Sequence, residues 1–364
     1  YNNVAAGSTS YFSSNQPYGT DWLDEITDTG EVTSHYISMA GGSDNANYYF
    51  GVTNYQEKGI LMGSKFERTN INTKNEFRLL DNILKVNQNL NLAISKATPK
   101  PVSAFTNAYK QAPIVPVRFE NGRWGVPLRN PDTGLVDING RDRFNNVANP
   151  VAQLQNSIEQ NKSIDISGSV AADLQLFKEL KFTSSFGATY STFKAYNYSS
   201  DLENYLTANA TLDASDFQAT FGPDNPYLEN RLTQVRNENY LWNWDNYATF
   251  NKAFNKHEIT LVAGMSRTTK NNFETLRGTR YNVPVQNNYW YLDQSTYENE
   301  VNPRAIVGNS HSTPIVSIAY FGRAEYEYDG KYLLTAVIRR EGTSTFQESQ
   351  RWGHFPSISA GWVL

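Results

Sequence analysis

The residues best suited by type to chemistry in this chain are scattered rather than assembled. Asp132-Thr133-Gly134 has the letters of an aspartic-protease loop, a chemistry that needs two carboxylates sharing one proton. Behind Pro131 the same letters spell an ordinary turn, and that reading is preferred. Asp137, Asn139 and Asp142, with Asp132 nearby, could offer hard oxygen ligands to Ca²⁺, but the spacing lacks the full loop pattern with its terminal Glu, so a turn is again the default. The four His residues, at 35, 257, 311 and 354, have no ligand spacing, and the chain has no Cys to support them. No phosphate loop, nucleophile elbow or metal motif is present, so neither a resident cofactor nor an enzyme is expected.

Two aromatic groups suggest binding instead. Arg123-Trp124 and Tyr289-Trp290-Tyr291 lie in long polar stretches. Sugar C–H faces stack on rings, and peptides use aromatic and Arg anchors in a similar way. These five residues are candidate cargo contacts. The competing reading is that their rings pack loops together.

The elements that must position them are strands. The chain is 39% hydrophobic with a mean hydropathy of −0.58, and no apolar run approaches the roughly 18 residues a membrane helix needs. That excludes a helical membrane protein but not a transmembrane barrel, whose alternating strands keep the average low. A net charge of −4 with no basic stripe argues against nucleic acid. Period-two alternation recurs along the chain. It puts Leu84, Val86, Leu90, Leu92 and Ile94 on one face with Lys85, Asn87, Asn89, Asn91 and Ser95 on the other. Ile164, Ile166 and Val170, then Phe182, Phe186 and Tyr190, then Tyr240, Trp242, Trp244 and Phe250 repeat the pattern.

The clearest unit is Gly322 to Trp362. Asp329-Gly330 is a strong hairpin signal, because its central positions need positive φ. Around it Ala324, Tyr326 and Tyr328, then Tyr332, Leu334, Ala336 and Ile338, alternate with polar or smaller neighbours. Aromatic residues at the turn end and aliphatic ones beyond it suit a strand that crosses an interface and then hydrocarbon. Connections after Ala40, Leu80, Asp173, Phe254 and Tyr328 are short. Long ones, at about 97–159, 195–233 and 269–313, separate most of the remaining strands, the asymmetry of an outer-membrane barrel with its loops outside the cell. The reading gives about 11 strands. Residues 1–33 form a lead-in with a short helical turn capped by Thr20 or Asp21, and 34–364 the strand-rich part.

Several phrases are more specific. Tyr332-Leu333-Leu334-Thr335-Ala336, Arg339-Arg340-Glu341-Gly342, Phe346, and Arg351 through Trp362 resemble the mid-barrel signature of the SusC/RagA family of TonB-dependent outer-membrane transporters. Thr20 to Ile26, Gln56-Glu57-Lys58-Gly59 and Gly63 to Arg68 extend the resemblance towards the other end. The family usually has Asp where Glu341 stands, Arg where Thr345 stands and often Tyr where His354 stands. The resemblance implies an all-β, antiparallel up-and-down transmembrane β-barrel portion of a larger, 22-stranded barrel, without the plug domain. It also implies localisation in the Gram-negative outer membrane, import of glycan fragments or peptides, a SusD-like surface lipoprotein as partner, and energy from the TonB complex through segments outside this chain.

Two other classes fit the periodicity. A smaller porin-like barrel would need an even strand count and a first strand able to pair with the last, and a soluble β-sandwich ligand-binding module would turn its apolar faces toward each other. The fate of Leu84, Leu90, Leu92, Tyr332 and Leu334 separates them. For the Asp132–Asp142 stretch, the turn reading predicts that calorimetric titration with Ca²⁺ gives no heat and no shift in melting. A measurable heat would restore the cation site.

Overall fold

The computed structural model describes residues 19–113, 115–118, 122, 124–125, 147–208, 230–270, 272–284, 286, 290–295 and 306–363. Within them lies one antiparallel sheet of thirteen strands. Its elements are β1 (Glu31–Ser43), β2 (Ala46–Lys58), β3 (Lys65–Leu79), β4 (Leu84–Thr98), β5 (Ser157–Phe177), β6 (Leu180–Ser199), β7 (Arg231–Phe254), β8 (His257–Lys270), β9 (Phe273–Tyr281), β10 (Ile306–His311), β11 (Ile315–Tyr328), β12 (Tyr332–Thr343) and β13 (Trp352–Trp362). Four short helices sit in the connections: α1 (Trp22–Ile26), α2 (Ser103–Lys110), α3 (Pro150–Asn156) and α4 (Asp201–Ala208).

The order is a meander from β1 to β8 and on through β11, β12 and β13, with β9 paired to the far half of β7 and β10 to β9. β8 and β9 both lie against β7, and β10 and β11 continue alongside them. Counting each of these two runs once turns thirteen strands into eleven staves. β1 and β13 are each paired on one side only, so the sheet is open.

The alternation read from the sequence is the alternation of the two faces. Ile37, Val52, Ile71, Leu92, Ile166, Tyr190 and Tyr240 stand opposite one another on seven adjacent strands, and cross-strand partners share a face. Leu84, Leu90, Tyr332 and Leu334 lie on that same face. Among the described residues nothing covers it there: Ile37 is 71% and Ile358 75% exposed. The other face carries Asn72, Asn89, Asn91, Ser167, Thr189 and Asn243. A single cavity is lined by residues from β3 through β8 on this polar face. A flat sheet would hold those strands ~24 Å apart, at about 4.8 Å per gap, so the sheet curls with its polar face inward. This is a membrane barrel wall, greasy outside and wet inside, not a sandwich.

At the turn end the outer face carries a girdle. Phe254, His257, Tyr328, Tyr332 and Trp362 are cross-strand neighbours, with successive ring centroids 5.0, 5.0, 6.3 and 6.4 Å apart. The turns there are short. Asp329 and Gly330 have φ of 53° and 66°, as the sequence requires, though the loop closes with three residues, with the Lys331 N–H donating to the Tyr328 carbonyl. Lys256 Nζ, 2.9 Å from the Asp329 carboxylate, ties this turn to its neighbour and holds that carboxyl below the usual range.

The expected loops contain more structure than the alternation suggests. The stretch 269–313 holds β9 and β10, β6 runs on to Ser199 before α4, and 97–159 contains α2, α3 and the start of β5. In these extensions polar residues occupy both faces, as in Arg231, Thr233, Gln234 and Arg236 of β7, so no apolar contrast marks the period. Asp21 caps α1 by accepting from the N–H groups of Leu23 and Asp24, the Thr20 hydroxyl donates to the Val115 carbonyl, and β1 begins at Glu31.

One polar cluster lies on the outer face. Asn75 Nδ2 donates to Gln88 Oε1 at 2.5 Å, and Gln88 Nε2 donates to Thr73 Oγ1 at 3.2 Å. In hydrocarbon these groups have no water to turn to. In the full-length protein in bilayers, Gln88→Leu is expected to lower stability by about 1–3 kcal/mol by orphaning Asn75. The double change Asn75→Leu/Gln88→Leu should be neutral or stabilising. Urea midpoints measure both, and equal losses in the single and the double variant would contradict the account.

Candidate functional site

The inner wall is the surface where the chain can meet a ligand. Its side chains come from the inward-facing residues of each strand, and in the sequence these are mostly Asn, Ser and Thr. Of the cavities that open on it, two adjoin. One of about 630 Å³ is lined by Asn72, Lys74, Asn89, Asn91, Ser167 and Asn243 among others, and one of about 800 Å³ lies nearer the long loops. Leu241 and Lys270 line both, so the two are contiguous. The larger one adds Asp165, Phe193, Asn237 and Phe273, whose ring is 42% exposed.

Charge is distributed unevenly along this wall. The inward charges are largely neutralised by neighbours: near the turns Arg78 and Lys85 lie 2.5 and 2.8 Å from Glu76, and towards the loop end of β12 Arg339 lies 2.9 Å from Glu341. Arg323 is paired with Glu325. Ser266 and Asn243 donate to Asp245 at 2.5 and 3.0 Å. Higher up, Lys74, Lys270 and Asp165 make no ion pair among the described residues. The buried amide oxygens of Asn161, Asn197 and Asn237 on the same face have no hydrogen-bond partner there either. Such a surface can hold a hydroxyl- or amide-rich chain by many weak polar contacts and release it again.

The loop end has two cores of its own. In the first, Trp22 and Ile26 of α1, Ala104 and Ala108 of α2, and Val151, Ala152 and Leu154 of α3 pack with Leu61, Val115 and Trp124. Trp22 Nε1 donates to the Ala112 carbonyl, and the Lys100 ammonium donates to the Leu154 carbonyl at 2.7 Å near the end of α3. Burial pulls that ammonium below the ordinary lysine range. In the second core, Trp290 stacks on Tyr198 at 5.2 Å and 6° and packs with Leu232 and Val283. Tyr198 and Leu232 belong to the outward-facing residues of β6 and β7. Val283, Trp290 and Leu292 therefore pack on the outside of the strand extensions, beyond the lipid-facing band. Gly278 permits this, since a Cβ there would come within 2.5 Å of Leu292. Nearby, burial pushes the Asp201 carboxyl up, against the opposing pull of Arg231 3.5 Å away.

The candidate residues thus separate. Trp124 is 6% exposed with the Arg118 guanidinium 3.5 Å from its ring centre, and Trp290 is 3% exposed. Both rings are occupied in loop packing. Tyr291 is 59% exposed and available. Arg123, Tyr289, Asp132, Asp137, Asn139 and Asp142 lie outside the described residues. Among those described, no three His, Cys, Asp or Glu side chains form a metal-holding group. A second Asp-Thr-Gly triplet, at Asp28-Thr29-Gly30, escaped the sequence reading. Lys58, 2.7 Å away, holds the Asp28 carboxyl low, the wrong direction for a shared-proton acid. Sequence reasoning also passed over Phe193, Asn237, Lys270 and Phe273, whose only signal was their place in the alternation.

No protein-family model matches the chain. Curated relatives do. The chain is 26% identical to TonB-dependent receptor P3 of Formosa agariphila over 96% of its own length and 32% of the relative's. It is 24% identical to the TonB-dependent receptor SusC of Bacteroides thetaiotaomicron over 95% of its own length and 32% of the relative's. The chain therefore spans about a third of the length of the curated relatives it matches. Among solved structures, the RagAB peptide importer in its open-open state superposes with a TM-score of 0.69 at 16% identity, over 98% of this chain and 37% of the other.

The burial of the two Trp rings predicts a stability effect rather than an affinity effect. Trp290→Ala in the full-length protein should cost the loop core about 3–5 kcal/mol and open the chain around Val283 and Leu292 to limited proteolysis. Tyr291→Ala should leave the cleavage rate unchanged. Equal rates for wild type and Trp290→Ala would refute the packing role.

Proposed function

We propose that this chain, similar to TonB-dependent receptors including SusC over about a third of their length, is part of a SusC/RagA-like β-barrel of the outer membrane whose inner wall guides glycan fragments through an energised importer. The observation that carries this reading is the pair of contiguous cavities, walled by Asn, Ser and Thr with few unpaired charges and rimmed by Phe193 and Phe273. Neutral sugars match that surface: their hydroxyls exchange hydrogen bonds with amides, and their C–H faces stack on rings. The rest of the barrel and a plug come from the remainder of the receptor. A SusD-like lipoprotein closes the loop end and the TonB complex supplies energy from the other side.

Peptides are the second reading. Lys270 and Asp165 stand in one cavity without an ion pair among the described residues, which would suit the two ends of a zwitterionic chain. One of the solved neighbours is itself described as a peptide importer. Calorimetric titration of the full-length receptor with neutral oligosaccharides and with short peptides distinguishes the two. For glycan cargo, Phe273→Ala should weaken binding about tenfold, the loss of about 1.4 kcal/mol, while Lys270→Gln has less effect. Peptide cargo reverses that order. If neither substitution changes affinity for either ligand class, the inner wall is not the cargo surface.

A further inference from the structure

On the outer face, at the upper limit of the apolar band, four cations stand in one row. Lys96 of β4, Lys162 of β5, Lys194 of β6 and Arg236 of β7 are direct cross-strand partners in succession. All four are exposed. Like charges directly opposite one another on a sheet repel. A row of four is stable only where something negative offsets it. Among the described residues none of the four makes an ion pair; Glu67, opposite Lys96, closes one end of the row, and Glu238 lies one outward position from Arg236.

Position says what the counter-charge is. One outward position toward the turns from the first two Lys stand Ile94 and Ile164, 40% and 41% exposed, and from Lys194 it is Thr192, with Tyr190 beyond it. One outward position the other way lie Tyr196 and Gln234, and beyond them Tyr198 and Leu232, where the chain's own loop covers the wall. The cations occupy the exposed strip between hydrocarbon and loop. Strands about 4.8 Å apart put Lys96, Lys162 and Lys194 within ~10 Å, close enough for one phosphate to face two of them. Long aliphatic stems let each ammonium reach the headgroup plane from a strand rooted at the hydrocarbon edge. We propose that this row is a binding strip for the phosphate groups of an anionic lipid in the outer leaflet, seating the barrel at a fixed depth. The inference depends on the membrane placement of the wall and is independent of what the receptor imports.

The test uses the full-length receptor in neutral nanodiscs, titrated with lipid A carrying its phosphates and with the same lipid after phosphatase treatment. The wild type should bind the phosphorylated form at least tenfold more tightly, with an advantage that shrinks as salt rises. Lys96→Gln/Lys162→Gln/Lys194→Gln should lose that advantage, Lys162→Gln alone should lose part of it, and the triple Lys→Arg variant should keep it. Lys252→Gln, on the same face at the turn end, should change nothing. Heat-modifiable migration on gels checks barrel assembly, and the single variant and the Arg variant decide the matter if the triple Gln variant fails to assemble. Equal affinity for both lipid forms overturns the proposal. So does a Gln series that keeps lipid binding but loses a co-purifying protein, which would assign the row to an acidic partner surface.

Discussion

A backbone in hydrocarbon has no water with which to satisfy its N–H and C=O groups, each of which costs several kcal/mol unpaired. Everything described above depends on meeting that demand with an antiparallel ladder. Once the ladder forms, alternate side chains face opposite solvents, and composition follows from position: Ile37, Val52, Ile71, Leu92 and Ile166 in lipid, Asn72, Asn91, Ser167 and Thr189 in the wet interior. The same demand applies to the free edges of β1 and β13. Among the described residues each of them is paired on one side only.

The membrane-crossing part of the fold was legible in the sequence because its two solvents differ so sharply. Leu84 to Ser95 alternates apolar and polar with only Gln88 and Ala93 out of step, and Asp329-Gly330 needed only its backbone requirement to mark a turn. Beyond the bilayer that contrast disappears. β7 above Tyr240 reads Arg231, Leu232, Thr233, Gln234, Val235, Arg236, which has no clean period, so its pairing with β9 could not be seen. The helices of the loop end are five to eight residues long, too short for a 3.6-residue periodicity to emerge.

The loop aromatics show how burial, which residue type does not reveal, separates two readings of the same residues. Trp124 and Trp290 looked like cargo anchors because they interrupt polar stretches. A loop outside the membrane, however, must bury something to hold a shape, and in an Asn- and Ser-rich segment the Trp is the largest apolar surface available. The interior site is the opposite case. Asn237 and Lys270 are unremarkable in sequence and share a cavity only because curvature brings β5 through β9 around one space.

That curvature has a local accomplice between β8 and β9. Trp242 faces Thr269 whereas Asn239 faces Phe273, so three steps along β7 are matched by four on the other strand. This one-residue bulge reverses which residues face outward: odd-numbered ones such as Arg267 and Thr269 in β8, even-numbered ones such as Leu276 and Gly278 in β9. Without the extra residue, Phe273 and Thr275 would point away from the interior cavity they line, and Gly278 would not lie beneath Leu292. The bulge thus sets both surfaces at once, turning an aromatic ring toward the interior cavity and leaving room outside for Leu292 and Trp290. A strand that leaves the membrane no longer needs to keep one phase for lipid, and this chain uses that freedom at the level where its inner wall meets its loop core.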